Sequence, residues 1–134
     1  MDRTCNRLFV YGTLMSDFRN RMSTRLRSGS RLLGPALIPG DLFDLNGYPG
    51  AVYDSNSGNL IHGELYRLMD PKASFHWLDS YEDGGTGDNP DYLYRRIKVP
   101  VICKGKKIMA WMYEYIQSTK YLERIDSGDF RKRN

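Results

Sequence analysis

Residues Leu93–Ile116 read LYRRIKVPVICKGKKIMAWMYEYI, and this stretch decides the fold. Two apolar-rich runs, Leu93–Ile102 and Lys107–Ile116, are joined by Lys104-Gly105-Lys106, which predicts a hairpin of two long strands. In the second run Ile108, Ala110 and Met112 alternate with Met109, Trp111, Tyr113 and Tyr115. Bulk on both faces suits a strand lying between a core and a covered pocket. Earlier in the chain, Leu60–Leu68 reads as a strand with Gly63 inside it, where another backbone or a ligand can approach closely. Gly34–Leu45 reads as a strand broken at Pro39-Gly40 by a bend or bulge. Asn46-Gly47 signals a turn, followed by Tyr48-Pro49-Gly50 and the short apolar pair Ala51-Val52. Arg7–Tyr11 reads as a buried strand. Ser16 or Asp17 can cap a helix carrying Phe18, Met22 and Leu26 at four-residue spacing, with Gly29 at its end. Asp70-Pro71 opens a second helix, with Phe75 and Leu78 on one face and its end near Tyr81-Glu82. Asp83–Asp91 is then a glycine-rich loop. Strands outnumber helices and short turns link them, so the expected class is α+β with a mainly antiparallel, barrel-like sheet.

At 134 residues the chain (1–134) is expected to form a single domain, and a domain of that size buries roughly two-thirds of its unfolded surface. Hydrophobic content of 40% with ten Tyr, five Phe and two Trp fits a packed globule with room for a pocket. No apolar run approaches the roughly 20 residues that span a bilayer. Residues Met1–Arg7 lack the apolar stretch of a signal peptide, so a cytoplasmic location and no membrane partner are expected. Cys5 and Cys103 lie far apart with no zinc-like spacing, and read as idle or buried thiols. His62 and His76 lack companions that would complete a metal site, and no metal or cofactor is expected.

The net charge of +4 is partitioned along the chain. Residues 1–40 carry seven Lys/Arg against two acids, residues 41–91 two against ten, and residues 92–134 eleven against four. Arg19, Arg21, Arg25, Arg27 and Arg31 read as the solvated face of a helix and the turn after it, and Arg131-Lys132-Arg133 as a short tail. Without one dense basic block or a recognisable module, nucleic acid is not the expected partner. A basic interaction protein using the arginine-rich helix stands as a lesser alternative.

The tetrapeptide Tyr11-Gly12-Thr13-Leu14 closes the apolar run Leu8-Phe9-Val10. A strand ending in Gly-Thr delivers a turn whose N–H groups can face a cleft, and such clusters suit an anionic group. Three later segments accompany it: Gly63-Glu64-Leu65-Tyr66, Leu78-Asp79-Ser80-Tyr81-Glu82 and Tyr94-Arg95-Arg96. In this order, from Leu8 to about Phe130, the chain resembles the gamma-glutamylcyclotransferase-like family of small proteins.

The resemblance implies a small barrel flanked by short helices. It also implies an activity: a γ-glutamyl amine or γ-glutamyl amino acid closes on itself to give 5-oxoproline and a released amine. In that family the glutamate of a Leu-Asp-x-aromatic-Glu segment is the general acid/base, which here falls on Glu82. On the residues alone, Glu82 reads first as one more solvated acid among Asp79, Asp83, Asp88 and Asp91, a reading that the resemblance reverses. The nucleophile is the substrate's own α-amine, so the implied reaction needs no Ser, Cys, metal or cofactor. An apolar aromatic pocket would raise the carboxylate toward the basicity the task requires.

Substrate contacts are assigned to Tyr11, Gly12, Thr13, Leu14, Pro49, Gly50, Arg95, Tyr113 and Tyr115. The amides of Gly12, Thr13 and Leu14 serve either the γ-carbonyl oxygen or the α-carboxylate. Tyr11 either floors the cavity or is an ordinary strand aromatic. Pro49-Gly50 resembles the family's second pocket-forming turn, or is a plain β-turn. Tyr113 and Tyr115 either close the pocket or pack in a core. Arg95 either steers an anionic substrate or, with Arg96, ties the barrel to the acidic middle segment by salt bridges. Ser127-Gly128-Asp129-Phe130 is typical of the family and reads as a structural clasp. One departure is Asp83 and the long loop that follows Glu82, which bears on the pocket mouth and the substrate. The small-molecule substrate is the only partner expected, for a monomer or weak homodimer. The alternative function is a non-catalytic binder of a small anionic metabolite on the same scaffold.

Overall fold

The computed structural model describes residues 5–81 and 91–133. Among the described residues the elements run β1 (Arg7–Val10), α1 (Arg21–Ser28), β2 (Ser30–Asp44), β3 (Pro49–Tyr53), β4 (Leu60–Leu68), α2 (Pro71–Tyr81), β5 (Tyr94–Cys103), β6 (Lys106–Tyr115) and β7 (Glu123–Arg124). Five strands close into a barrel in the order β2, β4, β1, β6, β5. The ring is completed by β5 returning to β2 through Ala36↔Cys103 and Leu37↔Ile102. Neighbours are antiparallel except β1 and β6, which are parallel at Leu8↔Trp111. The fold is thus a mixed five-stranded barrel with two short helices. Leu8, Ile38, Ile61, Leu65, Val101 and Met112 are fully buried at its centre, each contributing about 1.5–3 kcal/mol of transfer free energy.

The β5–β6 hairpin forms as its alternation predicts, paired from Tyr94↔Tyr115 to Cys103↔Lys106. Lys104 (φ 52°) and Gly105 (φ 76°) both take positive φ, the turn whose twist matches that of the strands it joins. The expected break at Pro39-Gly40 is instead a change of partner within one fifteen-residue strand. Pro39↔Leu60 is the last pair of β2 with β4, and Gly40↔Tyr53 the first with β3. Gly40 adopts φ 151°, and a Cβ there would lie 2.3 Å from the Val52 carbonyl oxygen. No side chain fits that corner. The two-residue strand β7, which sequence did not reveal, pairs with Phe43 and Asp44 of β2.

The caps differ between the helices. Asp70 Oδ1 accepts from the Ala73 N–H at 3.2 Å and Pro71 follows it, as expected for α2. For α1 the cap is Asn20 rather than Ser16 or Asp17. Asn20 Oδ1 accepts from the Ser23 N–H at 2.8 Å, and Ser23 Oγ accepts from the Asn20 N–H at 3.3 Å. That reciprocal pair satisfies two orphan donors at once, whereas Ser16 is drawn away by Glu64. Arg19, Arg21, Arg25 and Arg31 are exposed as the sequence suggests, but Arg27 is half-buried.

The C-terminal segment clasps the barrel. The His62 N–H donates to the Gly128 carbonyl at 2.8 Å, and Phe130 is buried against the Phe18 ring. The Arg131 guanidinium bonds Asp129 and Asp17, each at 2.9 Å, linking the tail to the loop after β1. Burial pushes the Asp129 carboxyl up, but hydrogen bonds from Arg131 outweigh it and hold the group below its ordinary value of 3.8. A carboxyl lowered in the folded state lends stability that is present above its unfolded value and lost as pH falls through its folded one. Asp129→Asn should therefore reduce stability at neutral pH by about 1–2 kcal/mol. Urea midpoints for it and the wild type should converge as pH falls below 3.8, and parallel curves would contradict the assignment.

Candidate active site

A cavity of about 430 Å³ gathers the end of β1, the β2–β3 hairpin, the end of α2 and the first residues of β5. Phe9, Val10 and Tyr11 supply one wall, and Gly12, Thr13 and Leu14 continue it as the chain leaves β1. Leu45, Tyr48 and Pro49 come from the β2–β3 hairpin. Tyr81, Leu93, Tyr94 and Tyr113 complete the lining. Aromatic and aliphatic walls with few polar groups describe a usual small-molecule site. Gly12 has a steric role here, because a Cβ would lie 2.5 Å from Pro49 Cγ. The two turns expected to form the pocket touch each other at that point.

The polar feature of the cavity is the turn after β1. The Gly12 carbonyl accepts from the Met15 N–H at 3.0 Å, and the Thr13 carbonyl accepts from Asn20 Nδ2 at 2.8 Å. In a trans peptide the C=O and the following N–H point in opposite directions. Tying those two carbonyls therefore turns the Thr13 and Leu14 N–H groups away from their tethers. Among the described residues, the N–H groups of Gly12, Thr13 and Leu14 have no protein acceptor. Successive unpaired amides in a concave site form an anion-binding surface.

Side chains replace a missing strand along the edge of β3. Tyr94 donates its hydroxyl to the Pro49 carbonyl at 2.6 Å. The Ala51 N–H reaches Tyr11 Oη at 3.4 Å, and the Tyr11 hydroxyl donates to the Tyr113 carbonyl. Farther along, Glu114 Oε2 accepts from the Tyr53 N–H at 3.0 Å. Burial pushes the Glu114 carboxyl above its ordinary range, although that bond and the charge of Arg95 draw it down. These bonds leave the barrel open enough to hold a cavity while satisfying backbone groups that would otherwise be costly to bury.

Helix α2 is held to the barrel by Asp79. Arg96 donates to it through Nε at 2.9 Å and through a terminal nitrogen at 3.3 Å, and the Tyr113 hydroxyl donates at 2.6 Å. The guanidinium also stacks on Phe75 and Trp111, 4.0 and 4.4 Å from the ring centres. Phe75 and Leu78 are buried beneath it. The last described residue of the helix, Tyr81, lines the cavity, and its hydroxyl lies 3.4 Å from Thr13 Oγ1.

Of the residues assigned to substrate from sequence, Tyr11, Gly12, Thr13, Leu14, Pro49 and Tyr113 line the cavity. Gly50 packs behind it, where a Cβ would lie 2.7 Å from Leu45 Cδ1 and 3.0 Å from the Tyr115 ring. Tyr115 stacks edge-on against Tyr94, and Arg95 pairs across the strands with Glu114. Neither is part of the lining. Glu82 lies outside the described residues. The salt-bridge reading of the basic tripeptide holds for Arg96, whose partner is Asp79. Sequence reasoning passed over Tyr48, Tyr81, Leu93 and Tyr94, although Tyr81 and Tyr94 stand within the motifs. No group of three or more His, Cys, Asp or Glu among the described residues is arranged to hold a metal ion, and no described helix is long and apolar enough to cross a membrane.

Comparison with known proteins places these features in a wider set. A family profile described as "Gamma-glutamyl cyclotransferase, AIG2-like" matches residues 8–132. The gamma-glutamylcyclotransferase family protein YtfP of Escherichia coli K12 is 33% identical over 129 residues, covering 96% of this chain and 98% of its own. The solution structure of ytfP from Escherichia coli superposes with a TM-score of 0.63 at 31% identity, covering 92% of this chain and 94% of that one. YkqA from Bacillus subtilis superposes with a TM-score of 0.68 at 27% identity over 92% of this chain, which spans 39% of YkqA.

The docking of α2 makes a direct prediction. Asp79→Ala should lower the urea unfolding free energy by about 2 kcal/mol, since it strands a half-buried guanidinium and a tyrosine hydroxyl. Arg96→Lys keeps the charge but loses the fork and the ring stacking, so it should also destabilise. Equal midpoints for Asp79→Ala and the wild type would show that the helix is held by its apolar face alone.

Proposed function

The chain belongs to the gamma-glutamyl cyclotransferase, AIG2-like family, and from that premise we propose that it converts a γ-glutamyl amine or γ-glutamyl amino acid to 5-oxoproline. The substrate's α-amine attacks its own γ-carbonyl carbon, a new C–N bond closes the five-membered ring, and the C–N bond to the departing amine breaks. Both reacting groups belong to one molecule, so the site must fold the substrate into a ring-closing shape and keep water out. The aromatic walls of Tyr11, Tyr94 and Tyr113 suit that task.

Glu82 is assigned the proton transfers. Its carboxylate takes a proton from the α-ammonium, since only the free amine is nucleophilic, and returns it to the leaving nitrogen; the second proton, shed by the attacking nitrogen as it becomes the ring amide, ends on the released amine as its ammonium. Thr13 and Leu14 offer their amides either to the oxyanion that develops on the γ-carbonyl or to the α-carboxylate. The observation that carries this reading is the cavity itself. It joins the unpaired amides of the β1 turn to Tyr81, the residue immediately before Glu82 in the chain.

Incubation with γ-glutamyl amino acids and γ-glutamyl-lysine should release 5-oxoproline. Glu82→Gln should fold normally and lose roughly 10²–10⁴-fold in kcat. Near-normal turnover by that variant would remove Glu82 from the chemistry. Tight binding of 5-oxoproline with no turnover of any γ-glutamyl compound would mark the protein as a binder and not an enzyme.

A further inference from the structure

Glu64 is a carboxylate only 6% exposed in the middle of β4, and the reaction just described does not use it. Its two neighbours in the strand are Gly63 and Leu65, and Gly63 allows unusually close approach of β1. A Cβ at Gly63 would lie 2.2 Å from the Val10 carbonyl oxygen. Burying an ionised carboxylate is costly unless its oxygens are fully engaged. Both are engaged by one residue: Oε1 accepts from the Ser16 N–H at 2.6 Å and Oε2 from the Ser16 hydroxyl at 2.5 Å. Bonds to an ionised acceptor are about twice as strong as neutral ones. Burial, and then the nearby Glu64, push the Tyr66 hydroxyl up to about 12.

The position of these bonds matters more than their strength. Glu64 is the ladder partner of Val10, the last residue of β1, and its side chain grips Ser16, six residues later. One residue therefore fixes both ends of the segment that contains Gly12, Thr13 and Leu14. Between those ends the Gly12 and Thr13 carbonyls are tethered to Met15 and Asn20. The unpaired amides of the cavity then have one orientation available. We infer that Glu64 is a positioning residue that presents the Thr13 and Leu14 amides to the substrate through its grip on Ser16. The inference rests on the proposed cyclotransferase reading, but its structural half can be tested without turnover.

The full-length chain carrying Glu64→Gln, Glu64→Leu or Ser16→Ala would be compared with wild type by amide NMR and by steady-state kinetics on a γ-glutamyl amine. In Glu64→Leu the Thr13 and Leu14 amide signals should shift or broaden. Its kcat/KM should fall about tenfold or more, through kcat where the amides hold the oxyanion and through KM where they hold the α-carboxylate. In Glu64→Gln the amide oxygen can still accept from the Ser16 N–H and the amide nitrogen can donate to the Ser16 hydroxyl. Most of the rate and the wild-type signals should return. Ser16→Ala should fall between them, and it carries the test alone if Glu64→Leu does not fold. A purely structural carboxylate would lower the melting temperature while leaving kcat, KM and the Thr13 and Leu14 signals unchanged, and that result would overturn the inference. If no γ-glutamyl compound is turned over by wild type, the functional reading fails. Shifts of the two amides on adding 5-oxoproline, lost in Glu64→Leu, would still support the positioning role, and their persistence would refute it.

Discussion

The carboxylate of Asp79 is the point at which helix and barrel become one structure. It receives three hydrogen bonds, two from Arg96 on β5 and one from Tyr113 on β6. Arg96 is itself stacked on Phe75 and Trp111. An arginine at such a site is desolvated on its faces and satisfied at its edge, which favours one arrangement over many. Because Tyr113 also lines the cavity and accepts from Tyr11 through its backbone, the fixing of α2 and the shaping of the cavity are one event. The helix end that carries Tyr81 is placed against the β1 turn by this contact.

The cavity has an energetic consequence for the sheet. A barrel packed to its rim would pair every strand, but β3 lies beside β6 without a ladder between them. The backbone groups of Pro49, Ala51 and Tyr53 are met instead by Tyr94, Tyr11 and Glu114. Tyrosine suits this use, since its ring forms the wall and its hydroxyl reaches a polar partner. Three tyrosines share this use: Tyr11, Tyr94 and Tyr113 each line the cavity and each donate a hydroxyl to an acceptor at its back. Glu64 solves a related problem on the opposite side of β1, holding a segment that has no strand partner of its own.

Much of this was legible in the sequence where a local rule governs. The hairpin around Lys104-Gly105, strand β4 from Leu60 to Leu68, and the Asp70-Pro71 start of α2 each follow from spacing and turn chemistry over a few residues. Six of the nine residues assigned to substrate line the cavity, because the turns that contain them bring backbone to its wall. Local reasoning misplaced what long-range contacts decide. Ser16 has the chemistry of a helix cap, yet Glu64, forty-eight positions away, takes its N–H and hydroxyl, so Asn20 caps α1 instead. Tyr115 shares a strand face with Tyr113, yet Gly50 brings β3 against its ring and closes it off from the cavity. An acid inside a strand beside glycine and leucine was the available sign that Glu64 is held by partners, since carboxylates are rarely buried unpaired.

By itself the sequence determined the types of the longer elements, the β5–β6 turn and the family, because periodicity, turn chemistry and short motifs are properties of neighbouring residues. The tertiary structure alone decided how the barrel closes, with β1 parallel to β6 and β5 returning to β2. It also decided which tyrosine hydroxyls meet which backbone groups, which acid Arg96 finds, and which carboxylate steadies the β1 turn. Those outcomes depend on residues far apart in the chain competing for one partner, and only the three-dimensional packing settles which of them arrives.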